Sequence, residues 1–493
     1  MKELRIAPEW QKPARPLRHS WAGLLNVDQF RWFVRRDMQE QLAMAVKEIG
    51  ARHVRAVGMF DDELRFYTVD PASWREKVRP PELNFQIIDY VMDSLLDIGL
   101  RPMFTTTFVP SALASTNASV FETRGRVGLP KDWALWQKLV REAVQHAVDR
   151  YGLEEVRQWY FEVWNEPNLR AFFDGEQADF WRLWKLTYEA IKSVDGSLRV
   201  GGPSTARGEW IEEFVTFAKG ANCPPDYLIT HVYNNDGESG ALSPFDGPQE
   251  ERSVKSPHFS SRVIRGVRKL VTKLGFAGEV HWNEWGRTWH PTDPLRESPV
   301  EAAWCIKTMA EVCDQADYFA WWCLSDIYNQ LGYQRSEFAG HYGMLSLHGL
   351  RKPVYMAHML LCRLGDERVA VQGDGEERLQ HAIVTKLGAR RQVLAYAFAE
   401  ETTPSRLKVQ VQLDATTTSS PRLTRIGSEE NNILALYREM GSPPYPSREQ
   451  IAELRSANDL RSAPASDVRI EQCDGNWLAV FEMESPGAAL LEW

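Results

Sequence analysis

Apolar and polar positions over residues 19–365 alternate between two periods. Short, nearly continuous apolar runs, the pattern of buried strands, fall at 19–25 (HSWAGLL), 53–59 (HVRAVGM), 101–108 (RPMFTTTF) and 158–165 (QWYFEVWN). They continue at 198–202 (LRVGG), 227–233 (YLITHVY), 279–285 (EVHWNEW) and 318–325 (YFAWWCLS). Between them, stretches such as 37–49, 132–150, 178–193 and 259–274 repeat apolar residues every three or four positions, which gives a helix one buried face. Strand and helix alternating eight times predict parallel strands with helical crossovers, closed into a (β/α)8 TIM barrel over 19–365.

From about residue 366 the period shortens to two. HAIVTKL (381–387), QVLAYAF (392–398), LKVQVQL (407–413), VRIEQC (468–473) and WLAVFEM (477–483) read as strands, with one helix at 447–456. The expectation is an accessory antiparallel β-sandwich over 366–493. The segment 1–18 contains the strand-like ELRI (3–6) and is expected to join that sandwich.

The chain has 493 residues, 43% hydrophobic and 25% charged, the balance of an ordinary globular protein. A net charge of −9 without a basic run argues against nucleic acid as a partner. No run of about 18 apolar residues predicts a membrane span. The start, MKELRIAPEWQKPARP, has no apolar signal core, so a cytoplasmic location is expected. Six scattered cysteines without a CxxC pair read as reduced core residues. His231, His281 and His290 lack ligand spacing, so no metal site and no cofactor are expected. Nineteen tryptophans change the picture more. Many cluster between 134 and 322, either as an aromatic core or as faces that stack on sugar rings.

Strand ends at the C-terminal mouth of such a barrel carry its chemistry. The fourth strand ends on Asn165-Glu166-Pro167 and the seventh on Asn283-Glu284-Trp285. Strands four and seven face each other across the mouth, so the two carboxylates can converge on one atom. Paired carboxylates suit glycosidic bond cleavage: one protonates the leaving oxygen while the other attacks or activates water. A separation of about 5–5.5 Å belongs to the retaining route, and about 6.5–9.5 Å to the inverting one. On this reading Glu166 has the higher pKa, raised by its neighbour's charge. An amide beside the acid, Asn165, can donate to the sugar 2-hydroxyl.

WYFEVWNEPNL (159–169) closely resembles the acid/base motif of glycoside hydrolase family 39, the β-xylosidases and α-L-iduronidase. LRVGGP (198–203), DYLITHVY (226–233), WWCLSDIYNQ (321–330), GHYGMLSLHGLRKPVYMA (340–357) and EMGSPPYPSREQIAEL (439–454) resemble further family segments in order. The resemblance implies a retaining exo-glycosidase with Glu166 as general acid/base and Glu284 as nucleophile. It further implies that Arg55 supports the nucleophile, that Tyr233 hydrogen-bonds it, and that Asn165 binds the 2-hydroxyl. His231, Trp289, Asn329, Gln330 and Phe108 are implied near the sugar, with Trp321 as either wall or core.

Several positions depart from the β-xylosidase pattern. Val57 stands where a histidine is usual, Asn329-Gln330 replace a Glu-Glu pair, Asn283 replaces Thr, and Thr105-Thr106-Thr107 replace a Glu-Leu-Gly run. A β-D-xyloside-like substrate is thus one expectation, and another glycone such as an arabinoside or galactoside a second. A catalytically weak sugar-binding or transglycosylating protein is a third. The implied partner is a small oligosaccharide or glycoside, and the β domain leaves a homo-oligomer open.

Overall fold

The computed structural model describes residues 2–68, 80–120, 125–239, 256–328, 330, 334–374, 376–401, 403–414, 421–473 and 475–493. Eight parallel strands form one sheet in sequence order: Leu24–Gln29, His53–Val57, Arg101–Thr105, Tyr160–Glu162, Arg199–Thr205, Tyr227–Tyr233, Glu279–Gly286 and Tyr318–Trp321. Backbone bonds from Phe319 N to Ser20 O (2.7 Å) and Leu324 N to Asn26 O (2.8 Å) bring the eighth strand back to the first. The fold is therefore a (β/α)8 barrel. Helices follow the strands in turn, at Arg36–Ile49, Gln86–Asp97, Trp133–Tyr151, Gln177–Val194, Ile211–Gly220, Phe259–Lys273, Pro299–Val312 and Pro353–Leu361.

Two strands differ from expectation. The first is Leu24–Gln29, not 19–25, and all six of its residues are buried, Asn26, Asp28 and Gln29 included. Hydrophobicity does not mark it because its polar side chains point into a polar barrel interior. The fourth covers only Tyr160–Glu162, so Asn165 and Glu166 lie in the turn beyond it.

The barrel interior is layered. Leu24, Met103, Tyr160, Tyr227, Ile229 and Ala320 pack as an apolar floor. The Tyr227 ring lies so close to Gly201 that a Cβ there would come within 2.3 Å of it. Above the floor sits a polar layer built on Arg55 and Glu162, and above that the mouth.

The accessory unit has two sheets. One orders Lys2–Ile6, Ser405–Gln412, Asn476–Ser485 and Arg469–Cys473; its N-terminal strand runs parallel to Ser405–Gln412 and the other pairs are antiparallel. The other is antiparallel and includes Arg422–Ile426, Gly487–Glu492, Arg390–Ala397 and Gln380–Leu387. Alternate residues of that second sheet serve two cores. Ala382, Val384, Val393 and Ala395 face the sandwich interior, while Ile383, Leu394, Tyr396 and Leu490 join the core of the barrel. Pro299–Val312 is correspondingly buried on nearly every side.

Candidate active site

The turn after the fourth strand is strained: Trp164 and Glu166 hold left-handed backbone, with φ of 67° and 46°. Such conformations cost about 1–3 kcal/mol each and persist only where packing enforces them. Here the buried Trp164 ring packs on Phe108 and Phe173 and its indole N–H donates to Phe172 O at 3.0 Å. Glu166 N donates to Ser204 O at 2.8 Å. The strain aims Asn165 and Glu166 into the mouth.

Glu284 comes from within the seventh strand, paired in register with His231 on the sixth. An oxygen of Glu166 and an oxygen of Glu284 lie within 4.8 Å of each other. Arg55 Nη1 donates to Glu284 Oε1 at 2.5 Å, and Tyr233 Oη donates to Glu284 Oε2 at 3.0 Å. Arg55 Nη2 donates to Asn165 Oδ1 at 2.5 Å. That bond takes the amide oxygen and leaves the NH2 group of Asn165, a cavity-lining residue, to donate.

Beneath these sits a carboxylate with no counterpart among the expected site residues. Glu162, fully buried, accepts from Arg55 Nε (2.8 Å) and Nη2 (3.1 Å), Ser204 Oγ (2.5 Å), Thr105 Oγ1 (2.8 Å) and Asn283 Nδ2 (2.8 Å). Burial pushes its pKa up, but the Arg55 charge and these donors outweigh that and hold it below the usual carboxylate range. Two departures noted in the sequence, Thr105 and Asn283, therefore belong to this buried layer, and neither lines the cavity. The signal for Glu162 was present: a single charge inside the apolar run WYFEVW.

Burial pushes Glu166 up to about 7, against the pull of Arg55 and Arg207. The cause is thus desolvation and not, as expected, the charge of its neighbour. Burial also pushes Glu284 up, opposed by the charge and the hydrogen bond of Arg55. The direct Arg55 bond favours ionisation of Glu284 over that of Glu166, which has no hydrogen bond from a cation among the described residues. His231 is buried, and burial lowers its pKa, so the imidazole is neutral. Its Nδ1 lies 2.9 Å from Glu166 Oε1, and its Nε2 is 3.5 Å from Ser204 Oγ. The Ser204 proton is committed to Glu162, so Ser204 can only accept from Nε2–H, which leaves Nδ1 to accept a hydrogen bond from a neutral Glu166.

Glu166, His231 and Glu284 are also close enough to share a cation. Arg55 already supplies positive charge to Glu284 at hydrogen-bond distance, which is the role a metal would take there.

These groups open into a cavity of about 480 Å³ lined by Asn165, Glu166, Tyr233, Glu284, Trp289, Phe108 and Gln330 among others. Trp289 is 37% exposed at the rim, and Phe108 is a buried wall. Trp321 is core, packed on Trp285 and Trp304; its neighbour Trp322 supplies the wall instead. Asn329 lies outside the described residues. Val57 lines the cavity as an apolar surface. The sequence reading missed Asp28, Gln29, Arg207, Asp236 and Tyr342, which line it too.

The barrel with its accessory sandwich, and paired glutamates at the mouth beside an arginine, define a glycoside hydrolase. The sequence profile of glycosyl hydrolases family 39 matches residues 4–472. The chain belongs to that family. A β-xylosidase of Caldicellulosiruptor saccharolyticus is 30% identical over 471 residues, covering 94% of this chain and 93% of that protein. In three dimensions the chain is similar to a monomeric β-xylosidase from Caulobacter crescentus CB15, with a TM-score of 0.82, 27% identity and 99% of each chain covered. It is also similar to the GH39 enzyme from Xanthomonas axonopodis pv. citri, with a TM-score of 0.83, 26% identity and coverage of 100% and 97%.

Proposed function

We propose that the protein is a retaining exo-glycosidase that removes terminal β-D-xyloside-like sugars from small oligosaccharides by double displacement. The carrying observation is that an oxygen of Glu166 and an oxygen of Glu284 approach to within 4.8 Å, which favours the short separation of a retaining pair over the roughly 6.5–9.5 Å of an inverting one. Glu284, charged by its contact with Arg55, attacks the anomeric carbon and forms a glycosyl ester. Glu166, neutral near pH 7, gives its proton to the leaving oxygen, then takes one from the water that hydrolyses the ester. The NH2 of Asn165 donates to the 2-hydroxyl, and Tyr233 steadies the nucleophile. The β-xylosidase relatives support the xyloside reading of the glycone.

A second reading keeps this mechanism and changes the sugar. Val57 and Gln330 both line the cavity, one offering no hydrogen bond and the other a neutral amide. An arabinoside or galactoside then fits as well as a xyloside. A panel of nitrophenyl glycosides separates the readings: predominant hydrolysis of the β-xyloside supports the first, and equal or faster turnover of another glycone the second. A protein inert on the whole panel contradicts both.

A further inference from the structure

The first barrel strand brings two polar side chains to the cavity that the mechanism leaves unused. Asp28 is 4% exposed and Gln29 is 2% exposed, and both line the cavity. Trp32 Nε1 donates to Asp28 Oδ2 at 3.0 Å, while Oδ1 has no hydrogen-bond partner among the described residues. Gln29 Oε1 is buried and also has no partner among them. A buried polar atom left unpaired costs about 1–3 kcal/mol, so Gln29 Oε1 calls for a ligand that pairs it, and Asp28 beside it offers a second acceptor to the same cavity. Val57, directly across the strand register from Gln29, contributes only an apolar wall. Polar contact on this side of the cavity therefore falls to the first strand.

We propose that Asp28 and Gln29 are specificity-determining residues that accept hydrogen bonds from glycone hydroxyls remote from the anomeric carbon, and that the glycone is a neutral, hydroxyl-rich sugar. The chemistry follows from the atoms offered. A carboxylate oxygen and an amide oxygen are acceptors, and sugar hydroxyls are the donors that fit them. An acidic glycone would set a second carboxylate against Asp28. The inference rests on the glycosidase reading above.

The test compares the wild type with Gln29→Leu and Asp28→Asn on the best nitrophenyl glycoside of the panel, its monodeoxy analogues and the matching uronide. Each substitution should lower kcat/KM for the parent glycoside roughly ten- to hundredfold. On the one analogue lacking the hydroxyl that the residue reads, variant and wild type should be equal. The wild type should prefer the parent to the uronide, and Asp28→Asn should narrow that preference. Uniform losses across all analogues, as a merely structural role would give, overturn the proposal. So do variants that match the wild type on the parent, or a wild type that prefers the uronide. A wild type inert on every glycoside overturns the glycosidase reading and this inference with it, an outcome distinct from an active enzyme with indifferent variants.

Discussion

Arg55 grips Glu162 with two nitrogens, Nε to Oε2 at 2.8 Å and Nη2 to Oε1 at 3.1 Å, and neither side chain is exposed. The same guanidinium extends to Glu284 and Asn165, so the buried pair is the base on which the mouth stands. Removing one partner of such a buried pair costs about 3–5 kcal/mol. Without Glu162, Arg55 keeps only Glu284 as counter-charge among the described residues, and Thr105, Ser204 and Asn283 lose their shared acceptor. Glu162→Ala should therefore lose about that much stability in denaturant unfolding, and activity on every substrate should fall with it. An unchanged unfolding midpoint would show that the pair supports nothing.

The pH profile should report Glu166. Burial raises its pKa to about 7, so the proton needed by the leaving group is present below that pH and is lost above it. For substrates with poor leaving groups, kcat/KM should fall about tenfold per pH unit on the alkaline side of a pKa near 7. His231 Nδ1 contacts the same carboxyl at 2.9 Å, so His231→Phe should shift that alkaline limb. A profile flat from pH 6 to about 9 would exclude Glu166 as the acid.

Leaving-group dependence gives an independent check on the same residue. Glu166→Ala should lose far more activity on natural disaccharides than on nitrophenyl glycosides, whose leaving group needs no proton. Added azide, which enters the space of the missing side chain, should restore turnover of the activated substrate and yield a glycosyl azide. Equal losses on both substrates, with no azide product, would count against the assignment.

Much of this was legible in the sequence, for physical reasons that also mark where it stopped. Strand–helix alternation wrote the barrel because each helix such as Trp133–Tyr151 or Gln177–Val194 buries one stripe. Pro299–Val312 has no stripe to read, since barrel and sandwich bury it from both sides. The first strand, LLNVDQ, was displaced onto its apolar prelude because Asn26 is buried against Asn283 and Asp28 and Gln29 face the cavity instead of solvent. Glu166 and Glu284 stood out by sitting beside asparagine at strand ends. Glu162 was harder to assign within WYFEVW, since only the fold shows that Thr105, Ser204, Asn283 and Arg55 converge on it. Distinguishing Trp322 from Trp321 as the wall needed the direction of adjacent side chains at the end of the eighth strand.

Gln330 lines the cavity, which makes it a position at which to introduce a carboxylate. Val57→His with Gln330→Glu adds two polar contacts where a xyloside-reading site carries them. The double variant should shift the ratio of kcat/KM toward the β-xyloside by about tenfold or more, a single charged hydrogen bond being worth about 1.5–3 kcal/mol. The nitrophenyl panel measures that ratio, and an unchanged preference would place these two residues outside sugar recognition.

The central claim is that Glu284 forms a covalent bond to the sugar while Glu166 handles the proton. The most direct measurement uses a 2-deoxy-2-fluoro glycoside with a good leaving group, followed by mass spectrometry of the intact protein and its peptides. The fluorine slows breakdown of the glycosyl ester more than its formation with so good a leaving group, so the intermediate accumulates. The account predicts one added sugar per chain, carried on the peptide containing Glu284. A label on Glu166 or elsewhere, or unlabelled protein that still turns the substrate over, would contradict it.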